Sequence, residues 1–144
     1  MDILLTHGYF LNEDPAEKRI MKPYPPLGIM YLSSYLKSRG FAVQIFDSTF
    51  RSKKAFYEFV DGRRPPVVGI YCNLMTKLNV LEMIRYCRSK GSTVIVGGPE
   101  PRYHASEFVE HGADDVVHGE GELTLEELLP HIQARGLTSM RHIT

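Results

Sequence analysis

The chain has 144 residues, of which 43% are hydrophobic, and this length and composition suit one globular domain with one core. Lysine and arginine together number 17, as do aspartate and glutamate, so no net charge favours nucleic acid or an acidic membrane as a partner. No apolar run reaches the roughly 18 residues of a membrane span, and the first residues do not resemble a signal peptide. We therefore expect a cytoplasmic protein in which Cys72 and Cys87 are small buried hydrophobes rather than a disulfide or a metal motif.

Five short runs rich in valine, isoleucine or leucine alternate with helical patterns along the chain. The strands are predicted at Asp2–Thr6, Ala42–Asp47, Val67–Tyr71, Thr93–Val96 and Asp115–Val117. The helices are predicted at about 26–39, 52–60, 76–90, 103–111 and 122–134. This alternation predicts an α/β fold, namely a flavodoxin-like (Rossmann-type), doubly wound parallel five-stranded sheet of order 2-1-3-4-5. The domain is predicted to span residues 1–135, and residues 136–144 are predicted to be a tail or the start of a linker.

Two of the helices carry boundary and periodicity signals. The first is predicted to begin at the Pro25-Pro26 pair, since proline fits the first turn of a helix. The residues that follow at helical spacing are Leu27, Tyr31, Tyr35 and Leu36. Thr76 is predicted to cap the third helix. The residues predicted to share one face of that helix are Val80, Ile84 and Cys87.

A sheet of this order binds ligands outside the carboxyl ends of its strands, near the switch point between strands 1 and 3. Strand 1 is followed by a stretch of roughly 18 residues, 7–24, which either folds over a ligand or is a surface loop. Strand 3 is followed by Cys72-Asn73-Leu74-Met75-Thr76. The polar groups of this segment either contact a ligand or only cap the next helix.

Glycines follow the last two predicted strands and interrupt the central one. Gly97-Gly98-Pro99 permits either close approach of a planar ligand or a tight turn. The segment Gly119-Glu120-Gly121-Glu122 lacks the spacing of a phosphate loop. Glu120 is a candidate hydrogen-bond acceptor for a neutral ligand. Glu122 suits the N-terminus of a helix, where the helix dipole favours negative charge. Gly69, inside strand 3, leaves room either for a ligand tail or for close helix packing.

No arrangement of residues in the sequence is typical of a catalytic site. There is no Ser–His–Asp pattern and no His-Glu-x-x-His motif. His104 and His111 fall on one helix face, but His118 lies beyond the break at Gly112, so these three do not favour a metal site. The pattern indicates a domain that binds rather than one that catalyses alone.

Five segments, taken in order, bring a known family into view. They are Pro25-Pro26-Leu27-Gly28-Ile29-Met30-Tyr31-Leu32, Gly40-Phe41-x-Val43-x-Ile45-x-Asp47, Val67-Val68-Gly69-Ile70, Val96-Gly97-Gly98-Pro99 and Gly119-Glu120-Gly121-Glu122. The series resembles the N-terminal cobalamin-binding domain of cobalamin-dependent radical-SAM enzymes. The resemblance covers about residues 2–135.

The resemblance implies a base-off cobalamin on the carboxyl edge of the sheet, with its dimethylbenzimidazole tail beside the strands. The positions that match the family's contact loops are Asn73, Leu74, Met75 and Thr76, then Gly97, Gly98 and Pro99, then Gly119, Glu120 and Gly121. Gly69 would give room for the tail, and His7, directly after strand 1, is a candidate for a cobalt contact.

The chain lacks two motifs that are found in related proteins. The corrinoid proteins of methionine synthase and of the mutases carry Asp-x-His-x-x-Gly after strand 1, where this chain reads Thr6-His7-Gly8-Tyr9-Phe10. Histidine ligation in that style is therefore not supported, which favours the radical-SAM branch. The Cys-x-x-x-Cys-x-x-Cys run that would hold a [4Fe–4S] cluster is missing, so the cluster and S-adenosylmethionine are expected only in an absent part of a parent enzyme. The expected partner is the radical-SAM barrel domain.

Other functions of the same fold fit the sequence less well. An FMN carrier needs an anion-accepting loop after strand 1, for which Thr6-His7-Gly8 is a thin version. A response-regulator receiver needs an acidic pair after strand 1, an aspartate ending strand 3 and a lysine ending strand 5, and the chain has none of them there. A ligand-free interaction domain stays an alternative, although the long first loop and the glycines at strand ends argue against it.

Overall fold

A computed structural model describes residues 1–15, 26–135 and 142–143 of the chain. The strands are β1 (Ile3–His7), β2 (Val43–Phe46), β3 (Val67–Tyr71), β4 (Thr93–Gly97), β5 (Asp115–Val116) and β6 (His142–Ile143). The helices are α1 (Leu27–Ser38), α2 (Lys53–Arg63), α3 (Lys77–Ser89), α4 (Pro99–Tyr103), α5 (Ala105–Glu110) and α6 (Gly121–Arg135). A short 3-10 helix, Leu11–Glu13, follows β1.

All strand pairs of the sheet are parallel, and the strand order is β2-β1-β3-β4-β5-β6. The predicted α/β class and the order 2-1-3-4-5 are confirmed. The two-residue β6 pairs with β5 (Asp115 opposite His142) and was not predicted. It lies in the segment predicted as a tail or linker, most of which, residues 136–141 and 144, is outside the described residues.

Helices cover both faces of the sheet, and each face has its own apolar core. On one face, α2, α3 and α5 pack on side chains such as Leu4, Val68 and Val94. On the other face, α1 and α6 pack on side chains such as Leu5, Val67 and Ile95. Alternate residues of each central strand therefore serve opposite cores, which is why these strands are apolar almost without interruption. None of the described helices is both long and apolar enough to cross a membrane.

The buried face of α1 differs from the pattern seen in the sequence. Ile29 and Leu36 are buried and face the core, whereas Leu27 and Tyr31 are 60% and 74% exposed. Leu27 and Tyr31 each lie two positions from Ile29, roughly 200° around the helix, so they cannot share its buried stripe. Leu27 and Tyr31 instead leave apolar surface on the other side of α1.

The predicted helix at 103–111 is wrong in its extent. The chain becomes helical at Pro99, directly after Gly98, because proline suits the first helical position. It then breaks at His104, whose φ and ψ of −135° and 41° are not helical, before α5 begins. Pro99 therefore begins a helix directly after the turn at Gly98.

Candidate functional site

Two neighbouring cavities open at the carboxyl edge of the sheet. The first, which we call the edge pocket, has a volume of about 260 Å³ and lies over the ends of β1 and β3. It is lined by His7, Tyr9, Pro26, Leu27, Gly28, Ile29, Tyr71, Asn73, Met75 and Thr76. The second, which we call the slot, has a volume of about 330 Å³. It is lined by Leu5, Gly28, Ile29, Leu32, Gly69, Ile70, Tyr71, Ile95, Val96, Gly97, Gly98, Val117, Gly119, Glu120, Gly121, Glu122 and Leu125.

The slot runs between the sheet and the helices α1 and α6, and a missing side chain opens its floor. Leu5, Gly69 and Ile95 are register partners on β1, β3 and β4, so they stand in a row on the same face. A Cβ atom added at Gly69 would lie 2.9 Å from Leu5 Cδ2, the end of a flexible side chain. Leu5 therefore packs closely against Gly69, but Gly69 also lines the slot, so a larger side chain there would narrow it. This position in the lining favours the ligand-tail interpretation of Gly69.

The glycines at the mouth of the slot have different structural reasons. Gly98 has a φ of +109°, and a Cβ atom there would lie 2.4 Å from the backbone oxygen of Cys72. The fold itself thus requires glycine at this position. A Cβ atom at Gly97 would come no closer than 3.9 Å to Val117, an ordinary contact, so the fold leaves Gly97 free to serve a ligand.

Asn73 and Thr76 form a reciprocal pair at the start of α3. The Asn73 N–H donates to Thr76 Oγ1 and the Thr76 N–H donates to Asn73 Oδ1, both at 3.1 Å. Thr76 occupies the N-cap position, but its side chain accepts no hydrogen bond from the helix, which corrects the predicted capping role. Asn73 Oδ1 accepts the hydrogen bond from Thr76, but the Nδ2 group of Asn73 donates to nothing in the described part of the chain. This amide group could therefore donate to a ligand in the edge pocket, which Asn73 lines.

His7 is held from both sides of its ring. Its Nδ1 accepts a hydrogen bond from the Tyr9 N–H at 3.1 Å, so its Nε2–H donates to Asp47 Oδ1 at 2.8 Å. Burial opposes ionisation of Asp47, but hydrogen bonds from Thr49 and His7 outweigh it and lower the pKa of this carboxyl group. Neither ring nitrogen of His7 is available to a metal ion in this arrangement.

An ion-pair cluster ties α3 to the segment after β4. Lys77 Nζ lies 2.9 Å from Glu100 Oε1 and 2.8 Å from Glu107 Oε2. The Cys72 N–H also donates to the backbone oxygen of Gly97 at 2.9 Å. These contacts join the loops that follow β3 and β4, so the mouth of the slot is held in place before any ligand arrives.

The two cysteines do not add reactive chemistry to this edge. Burial raises the pKa of the Cys72 thiol to about 12, and it does the same for Cys87. Both thiols are therefore protonated at neutral pH and are not nucleophiles. Among the described residues, no three histidine, cysteine, aspartate or glutamate side chains cluster as a metal site.

Most of the residues predicted from the sequence lie around these cavities. Gly69, Gly97, Gly98, Glu120 and the glycines 119 and 121 line the slot, while His7, Asn73, Met75 and Thr76 line the edge pocket. Leu74 and Pro99 line neither cavity. As ligand contacts, all of these residues remain predictions.

The first turn of α1, which borders both cavities, was not predicted to contact a ligand. Gly28 and Ile29 line the edge pocket and the slot, and Leu27 lines the edge pocket. A Cβ atom at Gly28 would meet no atom within 4 Å, so nothing in the described chain requires glycine there. The run Pro25-Pro26-Leu27-Gly28-Ile29 was the available signal, because a glycine inside the first turn of a helix has a cost that needs a reason.

Comparison with known proteins adds three findings. A family model described as "B12 binding domain" matches residues 19–129. The hopanoid C-3 methylase of Methylococcus capsulatus is 29% identical in an alignment 119 residues long, which covers 77% of this chain and 23% of that protein. The chain thus spans about a quarter of the length of this relative. The response regulator domain of Thermotoga maritima CheB superposes with a TM-score of 0.50 at 16% identity, over 97% of this chain and 96% of that domain. At this identity the likeness shows the fold alone.

Proposed function

The chain belongs to the B12-binding domain family, and from that premise we propose that it holds cobalamin in the base-off form at the carboxyl edge of its sheet. The dimethylbenzimidazole tail enters the slot, and the corrin ring lies over the strand ends beside the edge pocket. The cofactor supplies methyl-transfer or other radical chemistry, and this domain supplies binding and orientation.

The open floor of the slot is the observation that carries the proposal. A planar aromatic tail needs a narrow apolar space, and the absent side chain at Gly69, between Leu5 and Ile95, provides one. The slot opens at the ends of the central strands, where ligands bind in sheets of this order. Its volume of about 330 Å³ suits one part of a large ligand whose remainder lies outside.

Polar groups at the strand ends are suited to the rest of the cofactor. Asn73 lines the edge pocket, and its Nδ2 group is a suitable donor for an amide oxygen of the corrin periphery. Glu120, at the mouth of the slot, is an acceptor for an N–H or O–H donor of the ligand. The backbone at Gly97 and Gly98 permits the close approach of a bulky ligand.

The proposal includes no cobalt contact by His7. Such a contact would require either the hydrogen bond from Tyr9 or the hydrogen bond to Asp47 to break. Since His7 is also buried, that exchange would cost free energy without relieving any strain. The predicted metal role of His7 therefore gives way to a structural one.

A larger enzyme is the setting we propose for this domain. The relative carries the name methylase and is about four times as long as the matched region, which covers 23% of it. We propose a radical-SAM barrel domain as the partner, which contains the [4Fe–4S] cluster and binds S-adenosylmethionine. We also propose a cytoplasmic location.

Equilibrium dialysis against hydroxocobalamin, with visible spectra of the retained corrinoid, tests the proposed function. The wild-type chain is expected to retain cobalamin with a base-off spectrum, and Gly69→Val is expected to weaken binding at least about tenfold because it fills the slot. Gly69→Ala is the smaller step, for which only the tip of Leu5 has to move.

Two further variants sharpen the comparison. Gly62→Ala, on α2 with no atom within 4 Å of the added carbon, is the matched control and should bind as the wild type does. Asn73→Asp keeps the acceptor for the Thr76 N–H but replaces the free donor by an acceptor, so it should weaken binding without loss of stability. Retention of FMN instead of cobalamin, or no retention of a corrinoid at all, would contradict the proposal.

A further inference from the structure

The interior of the slot offers a ligand no hydrogen-bonding side chain. The side chains that form its walls come from the sheet, from α1 and from α6, and they are Leu5, Ile29, Leu32, Ile95, Val117 and Leu125. The polar side chains among its lining residues, Tyr71, Glu120 and Glu122, come from the end of β3 and from the segment after β5, at the mouth. Ser33 on α1 is a buried polar residue, but it does not line the slot.

The backbone at the floor of the slot is equally unavailable. Gly69 lies between two parallel neighbours, opposite Leu5 on one side and Ile95 on the other, so its peptide groups serve the sheet. The wall residues Leu32 and Leu125 lie inside helices, where N–H and C=O groups bond within the helix. A polar atom at the floor of the slot would lose its hydrogen bonds to water and gain none from the residues that form the floor.

We propose that this slot selects corrinoids by the lower base of their nucleotide tail, accepting apolar benzimidazole or phenol bases and discriminating against purine bases. This inference rests on the proposed function. Adenine has an amino group and ring nitrogens that need hydrogen-bond partners, whereas a phenyl or dimethylbenzimidazole ring presents mainly carbon. The discrimination comes from the unpaired polar groups of the wrong base, which is a stronger basis for selection than size alone.

The test compares two corrinoids in which the base forms no bond or only a weak bond to cobalt. Neither of them therefore has to break a strong cobalt bond before its tail can enter the slot. A p-cresolyl cobamide has no coordinating nitrogen in its base, and an adeninyl cobamide coordinates cobalt weakly, so both present their tails base-off. Isothermal titration of the full chain with each is expected to show binding of the adeninyl form at least about tenfold weaker, as one or more polar groups are buried unpaired. Cobalamin itself is the third ligand, as the reference for the benzimidazole class.

A slot variant provides the reciprocal measurement. Leu32→Gln places an amide, with both a donor and an acceptor, in the wall at a position that is only partly buried and is therefore tolerated by the fold. It is expected to reduce the preference for the p-cresolyl over the adeninyl cobamide by at least about threefold. Gln44→Leu, a change on β2 outside both cavities, should leave the preference unchanged.

The outcomes separate this inference from the function on which it rests. If none of the three corrinoids binds, the proposed function itself fails. If all three bind and the adeninyl form binds as tightly as the p-cresolyl form, cobalamin binding stands and the inferred selectivity is overturned. An unchanged preference in Leu32→Gln would likewise contradict the role assigned to the slot wall.

Discussion

Neighbouring glycines of the candidate site have different structural roles, although the sequence alone does not distinguish them. Gly98 has a positive φ, and a Cβ atom there would clash with the Cys72 carbonyl oxygen, so its role is to let the chain turn from β4 into α4. Gly97 and Gly69 have no such requirement, and at Gly69 the neighbouring atom is a movable side chain. The sequence predicts that glycines gather at this edge, but only the distances across strands distinguish those that serve the fold.

This difference predicts opposite results for adjacent substitutions. Gly98→Ala combines a strained backbone with a clash against backbone, so it is expected to lower the free energy of unfolding by about 2 kcal/mol or more. Gly97→Ala meets only an ordinary contact with Val117 and should change that free energy by less than about 0.5 kcal/mol. Urea denaturation of both variants is the measurement, and equal losses of stability would contradict the assignment.

The helices and strands were predictable to the extent that short-range patterns determine them. β3 lies at the predicted residues, and Val80, Ile84 and Cys87 are all fully buried on α3, because apolar runs and helical spacing act within a few residues. Helix α4 and the break that separates it from α5 were not predicted, since the break at His104 leaves no signal in hydrophobic spacing. The role of the first turn of α1 was missed because its approach to β3 links residues more than forty positions apart.

A side-chain link at the end of β1 and β2 joins the two strands beside the edge pocket. His7 ends β1, and its Nε2 lies 2.8 Å from Asp47, which directly follows β2. Ser48 Oγ also donates to the backbone oxygen of His7 at 2.8 Å, and Thr6 Oγ1 donates to the backbone oxygen of Phe46 at 2.7 Å. This network fixes the start of the loop that leads from β1 toward α1.

The lowered pKa of Asp47 predicts a pH dependence of stability. Because the folded state holds Asp47 ionised more strongly than the unfolded chain does, its contribution is present above the ordinary value of 3.8 and is lost as the pH falls below it, through the folded pKa. The carboxyl group is half exposed, so this contribution is at most about 1 kcal/mol.

Urea denaturation at pH 7 and at successively lower pH measures this contribution. Asp47→Asn keeps an oxygen that accepts from His7 and Thr49 but does not ionise, so it should lose less stability on acidification than the wild type. Glu107, whose pKa is lowered mainly by its hydrogen bond from Lys77, titrates in the same range in both proteins and cancels in the comparison. Identical acid profiles of the two proteins would show that Asp47 does not contribute.

At the scale of the whole molecule, the fold places two unlike cavities side by side at one edge. The slot is walled by aliphatic side chains and reaches the floor of the sheet, whereas the edge pocket includes the polar side chains of His7, Asn73 and Thr76. The family match over residues 19–129 includes the slot glycines 69, 97, 98, 119 and 121. A cofactor with an aromatic tail and an amide-rich ring fits this division, which is the central claim about the protein.

The most direct test is the electron paramagnetic resonance spectrum of cob(II)alamin in the presence of an excess of the chain. With the tail in the slot and both nitrogens of His7 engaged, no axial nitrogen coordinates the cobalt, so the spectrum is expected to lack the superhyperfine splitting that an axial nitrogen causes. A spectrum that keeps the splitting by one nitrogen would contradict the account, because it would mean that the cofactor stays free and base-on or that histidine coordinates cobalt.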